Sequence, residues 1–180
     1  HNYYKQSGGE DGVFAGEWAL LEQHGHLVLP YTVSNERVDS LSSARLGIMT
    51  LWNRESYTEL ENIIRRDKPD LVHFHNTFPL ISPAAYYATK AAGLPVVQTL
   101  HNYRLLCSNA LLFRNDQLCE DCLGKTPPWP GLLHACYHDS HLQTAGVVSM
   151  LTLHRWRRTW SQKVDIYIAL SEFSRQKFIQ

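Results

Sequence analysis

The stretch DLVHFHNTFPLISPAAYYATKAAGLPVVQTLHN, residues 70–102, holds two apolar runs separated by a helical pattern. DLVHFH (70–75) and PVVQTL (95–100) are short and lack the alternation of a half-solvated strand. Such near-continuous runs belong to a parallel sheet buried on both faces. Between them, Ser82-Pro83 sets a cap followed by proline at the first helical position, and Gly93 stops the helix after about Ala92. Strand, helix, strand is the unit of a parallel α/β sheet.

Working outward, the same rhythm recurs. Gly12 to His24 reads as a helix, with Val13, Phe14, Trp18, Leu20 and Leu21 at helical spacing. Ser7 and Glu10 have capping-box spacing before it, and Gly25 is a natural stop. Leu27 to Val33 reads as a buried strand, and residues 34–52 as a loop with a short helix. Asn53 caps a helix with Tyr57, Leu60, Ile63 and Ile64 on one face, closed by Pro69. Downstream, a helix is expected from about His141 to Gln162, a strand over Val164 to Leu170, and a further helix after Ser171. The fold class is therefore α/β: one Rossmann-like domain over residues 1–180, its parallel sheet flanked by helices. An opening at His1 with loop character and an ending inside a helix predict truncation at both ends, with a strand upstream of residue 1.

Residues 101–140 break the rhythm. They hold all four Cys and three of the eight Pro, with little periodicity. So long an irregular insert in a compact domain is functional or pinned by something. Composition narrows the function. A net charge of zero supplies no field for nucleic acid, and the Cys-containing segment carries no Arg/Lys cluster, so no nucleic-acid partner is expected. The longest apolar stretch, Ala145 to Leu153, is too short to span a bilayer, and no signal-peptide pattern is visible.

Three His-Asn pairs occur: His1-Asn2, His75-Asn76 and His101-Asn102. The second and third end predicted strands, where ligand crevices of open α/β sheets lie. Neutral imidazole and carboxamide both donate and accept, which suits sugar hydroxyls. Gly8 and Gly9 precede a helix N-terminus, whose free N–H groups and dipole favour a phosphate. A tight turn is the plainer reading of the glycines, and a structural hydrogen bond the plainer reading of a lone strand-end His.

The opening HNYYKQSGGED, the stretch PDLVHFHNTFPLISPAA, the block VVQTLHNYRLLCSNALLFRNDQLCEDCLGK and the ending VDIYIALSEFSRQKF resemble the N-terminal domain of family 4 glycosyltransferases, over nearly the whole chain. The resemblance implies a GT-B enzyme, in which two Rossmann-like domains face each other across a cleft. The N-terminal one receives the acceptor, and the C-terminal one binds the nucleotide sugar. It implies glycosyl transfer with retention, no catalytic metal, and an acceptor that is a glycan, a lipid-linked molecule or a small molecule. It places Gly8 and Gly9 near the donor diphosphate and acceptor, and His101 beside the transferred sugar as the catalytic-site residue. Glu10, His75, Asn76 and Asn102 are the accompanying candidates for substrate contact. The implied location is the cytoplasm, with peripheral contact at the inner membrane face. The C-terminal domain and its pair of glutamates are not in this sequence, so little activity is expected of the fragment alone. The rival reading is a non-catalytic Rossmann-like binding module.

Cys107, Cys119, Cys122 and Cys136 are spaced C-x11-C-x2-C-x13-C. A CxxC knuckle with two further Cys fits a structural zinc site, with His134 and His138 as substitute ligands. Reduced buried thiols and disulfides are the alternatives. Finally, His154-Arg155-Trp156-Arg157-Arg158 with Trp160 is cationic and aromatic, which fits weak contact with an anionic membrane; a helix with Trp inside and Arg in solvent is the alternative.

Overall fold

The computed structural model of this chain describes residues 1–179. It opens with β1 (Asn2–Tyr3), α1 (Gly9–Gln23), β2 (Val33–Ser34) and a 3-10 turn over Asn35–Ser40. Helices α2 (Ser43–Leu51) and α3 (Arg54–Asp67) lead to β3 (Val72–Phe74), α4 (Ala84–Ala91) and β4 (Val96–Leu100). A hairpin of β5 (Phe113–Arg114) and β6 (Gln117–Leu118) and a short α5 (Trp129–Leu133) occupy the irregular segment. The chain continues through α6 (His141–Trp156), α7 (Thr159–Lys163), β7 (Ile166–Ala169) and α8 (Glu172–Ile179).

Strand β4 lies between β3 and β7, and both pairings are parallel, with Val72 opposite Val96 and Val97 opposite Ile166. β1 and β2 form a second parallel pair. The Asn2 N–H donates to the Asn76 carbonyl at 2.9 Å, which joins that pair to the end of β3. Helices make the crossovers that parallel strands require. The result is the expected Rossmann-like α/β domain. Its core gathers Leu60 and Ile64 of α3, Tyr86 of α4 and Leu151 of α6 around Phe74 and Val96 of the sheet.

Local chemistry fixes the helix ends. Asn53 Oδ1 accepts the Glu55 N–H at 3.0 Å and caps α3, while the left-handed Lys68 at φ 49° and then Pro69 end it. Ser82 Oγ accepts from Ala84 N–H at 3.2 Å and from Asn53 N–H at 2.9 Å, so one hydroxyl starts α4 and holds the start of α3. In the hairpin, Asn115 and Asp116 both take positive φ (52° and 60°), the two-residue turn that matches strand twist.

Several expectations are corrected. Leu27 to Val33 is not a buried strand. Only Val33–Ser34 pairs, and Leu27 is 85% exposed. Pro30 removes a donor in mid-run, and no layer of the described residues covers Leu27. Helix α1 starts at Gly9 with Gly8 as N-cap. Asp11 Oδ2 accepts the Gly8 N–H at 3.0 Å, in place of the expected Ser7–Glu10 box. Its Leu20 and Leu21 are exposed, and Asp11 is the buried position. The long helix expected to Gln162 breaks at Arg158, which is left-handed at φ 52°. The corner is held by His154, fully buried, whose Nε2 donates to the Leu51 carbonyl at 2.9 Å and whose Nδ1 lies 2.9 Å from Thr159 Oγ1.

The cationic aromatic stretch divides between inside and outside. Trp160 is in the core. The Arg155 guanidinium donates to the carbonyls of Leu105 at 2.8 Å, Leu106 at 3.0 Å and Lys125, so it clamps the irregular segment to α6. Trp156, Arg157 and Arg158 alone face solvent, and they do not form the expected membrane-binding face with Arg155 and Trp160. No helix among the described residues is long and apolar enough to cross a membrane.

Candidate functional site

Side chains of a strand alternate, so His73 and His75 leave β3 on the same face. On α1, Glu10, Phe14 and Glu17 recur at i, i+4 and i+7 and share one helical face. The two faces meet at the strand ends. Glu17 Oε2 lies 3.1 Å from His75 Nε2 and 3.7 Å from His73 Nδ1. His75 Nδ1 lies 3.1 Å from His101 Nε2, and the two rings stack with centroids 5.3 Å apart. His1 stacks on Phe14 at 4.7 Å and bonds Asp11 Oδ1 through Nε2 at 2.6 Å. The three His-Asn pairs thus bring their imidazoles to one place. Gln98 Nε2 holds the His75 carbonyl at 3.0 Å, and Tyr86 OH holds Gln98 Oε1 at 2.7 Å, so the turn after β3 is fixed from below.

Burial, and then the neighbouring His73, His101 and His1 imidazoles, lower the His75 pKa to about 3. Burial first, then His1 and His73, lower His101 to about 4 against the pull of Asp11. Both rings are therefore neutral at pH 7. Burial raises the Glu17 carboxyl, whose side chain is about a third exposed. Proton order follows. With the Glu17 carboxylate accepting from His75 Nε2–H, His75 Nδ1 accepts in turn, and His101 Nε2–H donates to it. His101 Nδ1 is left as an acceptor, with no side-chain partner among the described residues.

The other expected residues divide by exposure. His75 and Asn76 are buried. Asn76 is engaged twice, donating to the Asn2 carbonyl at 2.8 Å and accepting from Phe78 N–H at 3.0 Å. Both side chains are thus tied into the protein at the strand end. Gly8 and Gly9 are exposed at the amino end of α1, where Gly8 N–H is already taken by Asp11. Asn102 Nδ2 reaches Glu10 Oε2 at 3.4 Å, and its Oδ1 accepts from Arg104 N–H at 3.0 Å. Burial, then the Asp11 charge, raise Glu10, while hydrogen bonds from Tyr4 and Asn102 oppose them. The Arg104 guanidinium lies over the Phe78 ring at 4.4 Å and the Tyr137 ring at 5.0 Å, fixing the loop after His101.

Sequence reading missed Glu17, His73, Tyr4 and Arg104. The signal for Glu17 was its i, i+7 spacing from Glu10 through Phe14, which puts carboxylates on a face that also carries an aromatic ring. The ligand atoms of Glu17, His73 and His75 lie within 4.8 Å of one another, a spacing a cation accepts. The nitrogens facing Glu17 are His73 Nδ1 and His75 Nε2, while His73 Nε2 and His75 Nδ1 are engaged by Thr99 and His101. Apart from this site, Cys107, Cys119, Cys122 and Cys136 are free thiols that line one small cavity with Arg114 and His134.

The family model described as Glycosyltransferase Family 4 matches residues 13–180. A protein of Klebsiella pneumoniae described as an uncharacterized 42.6 kDa protein in the cps region is 25% identical over 160 residues. That match covers 86% of this chain and 36% of the relative, so the chain spans little more than a third of that protein's length. No solved structure matches the chain closely.

Proposed function

The chain belongs to Glycosyltransferase Family 4, and from that membership we propose that it is the acceptor-side domain of a retaining, nucleotide-sugar-dependent enzyme. Its acceptor is a glycan, a lipid-linked molecule or a small molecule, and the relative from a cps region favours the glycan. A second Rossmann-like domain supplies the nucleotide site. The reading rests chiefly on the chain of contacts Glu17–His75–His101, at 3.1 Å for each link, which ends on a neutral imidazole at the strand ends.

In the reaction, the bond between the sugar's anomeric carbon and the phosphate oxygen breaks. The acceptor oxygen bonds that carbon on the same face, and its proton passes to the leaving phosphate. His101 accepts a hydrogen bond from a sugar hydroxyl through Nδ1. As the ring becomes oxocarbenium-like, that hydroxyl grows more acidic and the bond strengthens, so the transition state gains more than the ground state. A protonated imidazole would oppose the same charge, and burial among other imidazoles guards against it. Gly8 and Gly9 let the diphosphate approach the backbone at the amino end of α1. Glu10 and Asn102 stand beside the acceptor hydroxyls.

The test is to screen the full-length protein for nucleotide-sugar turnover and compare it with His101→Ala. Loss of one preorganised contact should lower turnover by roughly 10²–10³ while the melting temperature holds. A folded variant with near-normal turnover would refute the role of His101. A full-length protein that turns over no nucleotide sugar would refute the function.

A further inference from the structure

We propose that Cys107, Cys119, Cys122 and Cys136 bind one zinc ion, which fastens the irregular segment between β4 and α6. The fold carries these sulfurs to one cavity from separate places. Cys107 closes the turn after β4, with its N–H on the Tyr103 carbonyl at 2.8 Å. Cys119 follows the hairpin, with its N–H on the Leu112 carbonyl at 2.8 Å. Cys122 lies one turn further on, and Cys136 lies just past α5, with its N–H on the Gly131 carbonyl at 3.0 Å. All four are unoxidised, and all four line the same cavity.

Bare backbone and an unpaired hydroxyl stand beside the sulfurs. Ser108 Oγ is buried beside the knuckle with no hydrogen-bond partner. A Cβ placed on Gly131 would lie 2.3 Å from that oxygen and 3.5 Å from Cys122 Sγ, so bare backbone packs against the thiol. The Cys122 thiol donates to the Pro128 carbonyl at 3.9 Å, which also accepts the Gly131 N–H at 3.2 Å. Four thiolates and one Zn²⁺ leave a net charge of −2. Two guanidiniums stand ready to offset it: Arg114 on the cavity wall, paired with Asp121 at 2.8 Å, and Arg155, anchored to the carbonyls of Leu105 and Leu106.

No three of these sulfurs lie within 4.8 Å of one another among the described residues. Binding draws them inward to the Zn–S distance of about 2.3 Å. Four S–H bonds break, four protons pass to solvent, and four Zn–S bonds form as zinc sheds its waters. The same segment carries His101, Asn102 and Arg104 at its start, so the metal also steadies that loop.

The experiment uses full-length protein purified in reductant without added metal. Elemental analysis is expected to find one zinc per chain, and Co²⁺ exchange should give the absorption of a tetrahedral thiolate centre. Cys119→Ser with Cys122→Ser should abolish both, whereas His134→Ala should keep both. Zinc well below one per chain in the wild-type protein, with no thiolate–cobalt bands, overturns the proposal. Loss of zinc in His134→Ala overturns the four-cysteine ligand set. In protein purified without reductant, an intact mass short of four hydrogens replaces the site with two disulfides. Should the double Ser variant not fold, the wild-type cobalt spectrum still decides.

Discussion

His75 shows what a buried imidazole costs when several others surround it. Its folded pKa of about 3, and that of His101 near 4, both lie below the ordinary 6.5. As acid is added, the unfolded chain takes up these protons first. Stability is therefore complete above about pH 6.5 and is lost as pH falls through the window from 6.5 to 4 and then to 3. Glu17 acts in the opposite sense, because burial raises its carboxyl and the folded state holds that proton longer as pH rises. His73, lowered likewise by burial, faces the same cluster and adds to the slope, with His1 and Asp11 packed beside it. Melting temperatures measured from pH 7 to pH 4 should fall, and His75→Gln should flatten that fall. An unchanged slope in the variant would remove this account. At this scale, the second and third His-Asn pairs were legible as strand-end features because each follows its apolar run directly. Glu17 was not, since its partners lie more than fifty residues away and only the packed fold brings them together.

At the scale of the element, Asn53 has the most to lose. It is buried, caps α3 through Oδ1, and donates through Nδ2 to Ser56 Oγ at 3.2 Å and to the Leu80 carbonyl. Asn53→Ala removes a cap worth about 1 kcal/mol and leaves the buried Leu80 carbonyl with only the longer Ser56 Oγ donor at 3.3 Å, at a cost of about 1–3 kcal/mol. Urea unfolding should therefore show a loss of about 2–4 kcal/mol. Asn53→Asp keeps the cap acceptor but turns a carboxylate toward Leu80, so it should not restore stability. Full recovery in Asn53→Asp would mean that the cap alone matters. The cap itself was legible, as were Pro69 and the Ser82-Pro83 start, because such signals act within a turn. The break at Arg158 was not. It follows from His154 reaching Leu51, and nothing local to residues 154–159 announces that partner. Likewise, Leu27 to Val33 has the composition of a strand, but burial depends on a covering layer that composition does not supply.

Over the whole molecule, the alternation of apolar runs and helices was enough to identify a parallel sheet, because only crossover helices can join such strands. Exposure was harder to foresee. Ile166, Tyr167 and Ile168 of β7 form an apolar run like those of β3 and β4, yet all three are exposed. The central position of β4 has a kinetic side. β3 and β4 are joined by residues 75–95, but β7 reaches β4 only after residues 101–165. The second loop is about three times longer and costs about 1 kcal/mol more to close. Pairing of β3 with β4 should come first, and β7 should dock last. Pulse-labelled hydrogen exchange during refolding is expected to protect the amides of Val97 and Thr99, which face β3, before those of residues 166–169. Simultaneous protection would mean that the sheet assembles in one step. During the interval before β7 arrives, one side of β4 stands as an open ladder, and the four thiols that separate the two strands in sequence are free to be oxidised in the wrong order.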